Sequence, residues 1–314
     1  MPMSAEVSGF RRLAHGAMIG LGLLCGAVAH QPATAAPASS SAALAMRDDE
    51  IRIVNGVLEI FAEVMDPNDR QILQAIDVRI PMDYDITRVV AYRDGDRVIE
   101  VSFGFFGTMV ELCDALILSE YYAPQDPGIY DKVDEYLKYL NRVIDQNERS
   151  VGQKQHIQHF TEYVGIPAAT AAQILGRSET QEISGLLRVA AIAFVLAHEI
   201  GHHILGHVDA PPNFVAESRN REVAADRYAA ALTMRAGISP FGALPALAFF
   251  SGAEGDRVDP DASHPLTYCR VMEAMLYTVD RLPGNTPLFE NSPGLRPGGL
   301  QYNTLLTKIR EHCA

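Results

Sequence analysis

Between Ile51 and Met65 the apolar residues Ile51, Val54, Leu58, Phe61 and Met65 recur in steps of three and four, the spacing of one helical face. Asp66-Pro67-Asn68 interrupts that pattern, and a short second helix is predicted over Gln71 to Ile76. The period then changes. Val89-Val90-Ala91-Tyr92 and Val98-Ile99-Glu100-Val101-Ser102 flank Asp94-Gly95, a favoured tight turn, so Arg88 to Phe103 predicts a β-hairpin. Helical spacing returns in Phe105 to Tyr121, Asp131 to Asn147 and Ile166 to Leu175. A long helix over Glu182 to Leu205 contains the most apolar stretch after the N-terminus, Leu186 to Ala197. Ala216 to Arg235 follows, stopped by Gly237. Further helices are predicted over Pro240 to Phe250, Pro265 to Leu282 and Tyr302 to Glu311, with a Pro/Gly-rich loop from Pro283 to Gly299. The fold class is therefore α+β, mostly helical, with a small β-sheet. No internal repeat is present, which removes tetratricopeptide-like arrays as a partner-binding device.

The first residues carry a different pattern. Arg11 and Arg12 precede an apolar, small-residue run from Leu13 to Ala29, and Ala33-Thr34-Ala35-Ala36 offers small-residue cleavage sites. Residues 1–36 are expected to be an export signal, with an uncleaved anchor as the alternative, residues 37–47 a linker, and residues 48–314 a single domain. Leu23-Leu24 before Cys25 is a poor lipoprotein context. Leu186 to Ala197 spans only 12 residues and carries Arg188, so it is expected to be the buried stem of a core helix, with no bilayer-spanning helix in the mature chain. The expected location is periplasmic or secreted.

Charge narrows the partners. Residues 1–36 hold Glu6, Arg11 and Arg12; without them 24 basic and 38 acidic residues leave a net charge of −14. Nucleic acid and anionic membrane surfaces are poor partners for such a chain. The mature part keeps Cys113, Cys269 and Cys313 and has no C-x-x-C motif. One disulfide is allowed in an oxidising compartment, with Cys269 and Cys313 the expected pair, against three buried thiols.

The chemistry concentrates at His198-Glu199-Ile200-Gly201-His202. Residues four apart on a helix share a face, so both imidazoles can bind one metal ion, and Glu199 between them can reach a water on that metal. A catalytic zinc needs a third protein ligand. Leu205 and Val208 stand where the compact Gly/His continuation of the motif would be, so that pattern fails. Glu222, twenty residues past His202, is the alternative ligand. Asp226 lies one helical turn further and can hydrogen-bond the far nitrogen of a ligating histidine. His203 and His207 lie about 100° and about 140° off the ligand face, so structural or solvent-facing roles are expected. His156 and His159 sit in a polar stretch that does not suggest a second metal site.

Val195 to His207, followed by Glu222-Val223-Ala224-Ala225-Asp226-Arg227-Tyr228, resembles the peptidase family M48, which contains the CAAX prenyl proteases and the HtpX-type and BepA/LoiP-type proteins. Ser263-His264-Pro265 matches a His-Pro that the family carries before a helix. The likeness covers roughly residues 183–282, the expected catalytic core, and more weakly 97–120. It implies a zincin-like (gluzincin) metallopeptidase domain. His198, His202 and Glu222 would bind one Zn2+ per chain, Glu199 would be general base and acid, and His264 would steady the oxyanion. Tyr228 is a weaker choice for that last role, and a core or surface tyrosine is the expected reading. It also implies a peptide or unfolded-protein substrate, with an edge strand pairing to it; Val98–Ser102 is the expected strand, with an interior strand that makes no substrate contact as the alternative. Residues from about 120 to 182 then stand as an insertion, with covering the cleft as one role. The resulting expectation is an exported zinc metalloendopeptidase. Its rival is a non-catalytic metal-bound periplasmic binding or assembly factor, against which Glu199 argues.

Overall fold

The computed structural model describes residues 40–83, 87–150 and 154–238, with single positions or short groups at 245–246, 273, 276, 279–281, 297–299, 303 and 306–307. Its elements are α1 (Ser40–Val64), α2 (Pro67–Gln74), β1 (Ile76–Arg79), β2 (Val89–Asp94), β3 (Asp96–Val101), α3 (Phe103–Tyr122), α4 (Ile129–Arg149), α5 (Phe160–Val164), α6 (Ala168–Leu175), α7 (Ser178–Ile204) and α8 (Val215–Arg235). The chain is thus mostly helical with one small sheet, an α+β arrangement.

Three local differences from the sequence pattern have simple causes. α1 begins at Ser40, so the stretch expected as linker is helical from there on; Ser-Ala-Ala-Leu-Ala-Met favours a helix intrinsically. Asp66-Pro67 starts a helix as well as ending one. The Asp66 carboxylate accepts from the Asp69 amide, and Pro67 occupies the first turn, where its missing N–H costs nothing. α2 therefore ends at Gln74, and Ile76–Arg79, partly expected as helix, is a strand instead.

That extra strand changes the sheet. Its order is β1-β3-β2. β1 runs parallel to β3 with Ile76 opposite Arg97, and β2 runs antiparallel to β3 with Val89 opposite Val101. Gly95, at φ 72°, turns the hairpin. β3 is consequently central, and Val98 and Ile99 are fully buried. Of the two readings of Val98–Ser102, the edge strand is wrong and the interior strand holds: a residue run cannot reveal a parallel neighbour from elsewhere in the chain. β2 is the edge on the hairpin side. Ser102 N donates to Arg88 O, so the even-numbered residues of β2 face β3 and the odd-numbered ones, Val89, Ala91 and Arg93, direct their amides outward.

α7 runs through the core and packs against α1, α2, α3, α8 and the sheet. From Leu186 to Ala197 every residue except Arg188 is buried, and Arg188 meets the buried Glu50 of α1 at 3.6 Å. By length and composition α7 is able to cross a membrane, but 78% of its apolar window is buried inside the fold. Around it lie Val54, Val57, Phe61, Phe105, Phe106 and Met109. Each large apolar side chain buried here is worth roughly 1.5–3 kcal/mol against exposure, so α7 is anchored along most of its length before its last turns reach the site.

The described residues between 120 and 182 are largely helical. α4 packs on α3 and α5, where fully buried Tyr136 donates to Gln158 O at 2.9 Å and meets the Phe160 ring. Residues 1–36, the Pro283–Gly299 loop apart from 297–299, His264, Cys269 and Cys313 lie outside the described residues. Where positions within the three last expected helices are described, 245–246, 273, 276, 279, 303 and 306–307 are helical.

Candidate metal centre and active site

The site forms where the last turns of α7 meet α8 and the hairpin. The end of α7 is tied to the sheet by its neighbour, not by the motif itself. His203 is 1% exposed, and its Nε2 lies 3.0 Å from Val98 O. Arg97 Nη1 donates to His203 O at 3.0 Å, bringing a cation to the negative end of the helix. His203 is structural, as the angular argument predicts.

α8 approaches α7 closely because residue 201 has no side chain. A Cβ on Gly201 would stand 3.2 Å from Tyr228 Cδ1, 3.3 Å from Tyr228 Cβ and 3.4 Å from Ala225 Cα. Tyr228 in turn donates to Asp69 Oδ2 at 3.0 Å, fastening α8 to α2. This tyrosine is therefore a packing residue. Glu222, one turn before Ala225, and Asp226 both face the histidines as a result.

His198 Nε2 and His202 Nε2 are 3.0 Å apart. Glu222 Oε2 lies 3.4 Å from His198 Nε2, and Glu222 Oε1 lies 3.6 Å from His202 Nε2. Three ligands at zinc–donor distances of 2.0–2.2 Å in a tetrahedron stand about 3.3–3.6 Å from one another. The observed set has that spacing to within a few tenths of an ångström. Among the described residues it is the one group of at least three His, Cys, Asp or Glu side chains able to hold a metal ion. Cys113 is buried and unpaired, and burial pushes its thiol pKa up, so it is not a thiolate donor.

The charge around the ligands fits a cation. Asp226, 1% exposed, places Oδ1 2.8 Å from His198 Nδ1, which leaves Nε2 to face Glu222 and His202. Burial works to lower the His198 pKa, but hydrogen bonds to Asp226 and Glu222 outweigh it and push it up to about 10. The same carboxylates that hold this proton would favour a metal cation, which must displace the proton to bind. Glu199 is buried beside it. Burial raises its pKa, the His198 charge lowers it, nearby Glu222 raises it and the Ala91 amide of β2 lowers it again, leaving it pushed up to about 7.

The structure brings together His198, Glu199, His202, Glu222 and Asp226. His264 lies outside the described residues. His159 Nδ1 sits 2.8 Å from Glu111, and His156 lies 3.7 Å from Glu162, positions away from the metal-competent group.

Three participants escape the sequence reading. The Ala91 amide, facing Glu199, is a backbone group with no sequence signature. Arg221 donates to His207 O at 2.8 Å and to Ala210 O at 2.6 Å, tying the loop after α7 to α8. His207 itself, expected about 140° from the ligands, lies with Nδ1 3.1 Å from His202 Nδ1. Burial and the Arg221 guanidinium hold its pKa below the usual histidine range. Extrapolating the helix past Ile204 causes the error, and Gly206 is the signal that the helix stops there.

A family model described as Peptidase U49 matches residues 102–279, a span that opens at the start of α3 and takes in both site helices. It is a different family from M48, so the resemblance carried by the motifs holds at the level of a peptidase family and not of M48 in particular. No curated protein and no solved structure matches the chain.

Proposed function

We propose that this chain, which belongs to the Peptidase U49 family, is an exported, zinc-dependent endopeptidase with a gluzincin-type site in a zincin-like fold. Family membership supports proteolysis. One observation carries the metal dependence: His198, His202 and Glu222 offer ligand atoms all within 4.8 Å of one another, with Glu199 buried beside them.

One Zn2+ held by these three residues would polarise the scissile carbonyl and lower the pKa of a water towards about 7. Asp226 holds the Nδ1 proton of His198 and keeps its Nε2 turned to the ligand set. Glu199 takes the proton of the attacking water on its carboxylate and returns it to the leaving amine. His264 is proposed as the donor to the oxyanion.

The substrate is an extended peptide or unfolded protein, not nucleic acid, given the acidic chain. It pairs with the outer edge of β2, whose Ala91 amide faces Glu199, in place of the Val98–Ser102 strand. Export to the periplasm or medium rests on residues 1–36.

Metal analysis of the purified mature protein, with cleavage of an unfolded substrate before and after chelation, tests the proposal. One zinc per chain and chelator-sensitive cleavage are expected. Glu199→Gln should keep the zinc and lose at least about a hundredfold in turnover. Cleavage that survives complete metal removal, or that falls less than about tenfold in Glu199→Gln, refutes the mechanism. Zinc without any turnover in the wild type would favour a binding protein.

A further inference from the structure

The chain leaving α7 makes a second tie to the ligand set. α7 ends at Ile204, Leu205 caps it, and Gly206 follows at φ 72°. Gly206 N donates to His203 O, and His207 N donates to His202 O at 2.9 Å. These are the paired bonds of a Schellman ending. It reverses the chain, so that the residue after the glycine comes back over the third helical residue from the end. An apolar contact usually fills that place. Here it is filled by two imidazoles, His207 over His202, with ring centroids 5.1 Å apart.

α8 fixes the same segment independently. Arg221 donates to His207 O and Ala210 O, and Arg221 is the chain neighbour of Glu222. His207 is therefore held both by the helix ending below it and by the helix that supplies the carboxylate ligand.

Two ring nitrogens 3.1 Å apart need one donor and one acceptor. His202 turns Nε2 towards His198 and Glu222, at 3.0 and 3.6 Å. A metal at that position requires Nε2 to be unprotonated, which puts the His202 proton on Nδ1. His207 Nδ1 must then accept it. From this geometry we infer that His207 is a positioning residue, setting the tautomer and ring angle of His202 as Asp226 sets those of His198. The inference rests on the metal-site reading above. It makes the centre symmetric in logic: each histidine ligand is steered through its Nδ1, one by a carboxylate from α8 and one by an imidazole from the turn after α7.

The test uses the mature chain, zinc and two substitutions. His207→Leu removes the acceptor. His207→Asn keeps one, because Asn Oδ1 occupies nearly the place of His Nδ1. Competition with a chromogenic chelator should show zinc binding weakened roughly 10–100-fold in His207→Leu, as for other outer partners of ligating histidines, and largely restored in His207→Asn. Side-chain 15N NMR of the metal-free wild type should show the His202 proton on Nδ1, a readout that needs neither metal nor variant. It should remain there in His207→Asn and redistribute in His207→Leu. A folded His207→Leu with wild-type zinc affinity overturns the inference, as does a wild-type His202 carrying its proton on Nε2. A wild type that takes up no zinc overturns the metal-site reading itself, whereas normal uptake with an indifferent His207 sinks only this step.

Discussion

Adding one methyl group at Gly201 sets two effects against each other. In a helix interior Gly→Ala is worth up to about 1 kcal/mol in favour of the alanine. Against this, the new Cβ would stand 3.2 and 3.3 Å from Tyr228 carbons and 3.4 Å from Ala225 Cα. Carbon atoms rest at about 3.5–4.0 Å, so α8 must retreat by a few tenths of an ångström. Tyr228 yields little because its hydroxyl is fastened to Asp69. Overpacking of this kind costs typically about 1–3 kcal/mol, and the net loss of stability is expected to be small, about 0–2 kcal/mol. The metal centre is less forgiving. Glu222 and Asp226 flank Ala225 on the displaced helix, and a competent zinc site keeps its distances within about 0.2 Å. Gly201→Ala should therefore weaken zinc binding by at least about tenfold, a loss of about 1.4 kcal/mol, while lowering the urea midpoint of the metal-free protein only slightly. Chelator competition and equilibrium unfolding measured side by side separate the two quantities. Zinc affinity within about twofold of wild type in a folded Gly201→Ala protein would refute the argument that the missing side chain sets the α7–α8 spacing; that threshold is about 0.4 kcal/mol.

Replacing Asp226 by Ala leaves His198 Nδ1 without its carboxylate, and zinc affinity should fall roughly 10–100-fold; an unchanged dissociation constant in a folded variant would remove Asp226 from the site. Glu50 has its pKa raised, chiefly by burial, with Arg188 opposing and Asp49 adding to the rise. The folded state therefore binds this proton more tightly than the unfolded chain. Stability from Glu50 is full below about pH 4.5 and declines as pH rises from there through the folded pKa. In chelated protein, urea midpoints measured from pH 4 upward should show that decline in wild type and lose it in Glu50→Gln; the same slope in both would contradict the assignment.

Much of the centre was legible in the linear chain because helices have a fixed period. His198 and His202, and Glu222 and Asp226, are four apart on elements whose apolar spacing and stop signals reveal them, so each pair shares a face whatever the rest of the fold does. The central position of β3 was not legible. Its parallel partner β1 comes from before the hairpin, and nothing local to Val98–Ser102 records that neighbour. His207 was misjudged for a related reason: one residue at positive φ ends the helical rule on which the angle was calculated.

The amino-acid sequence by itself determined the chemistry on offer: two imidazoles with a carboxyl group between them, a carboxylate pair on a second helix, and a net negative charge. These follow from residue type and short-range periodicity, which need no distant partner. Only the tertiary structure decided that the two helices cross at Gly201, that the β2 edge and its Ala91 amide face Glu199, and that His207 returns to His202. Those relations depend on how separate segments pack, and close approach between backbones is set by the absence of atoms as much as by their presence.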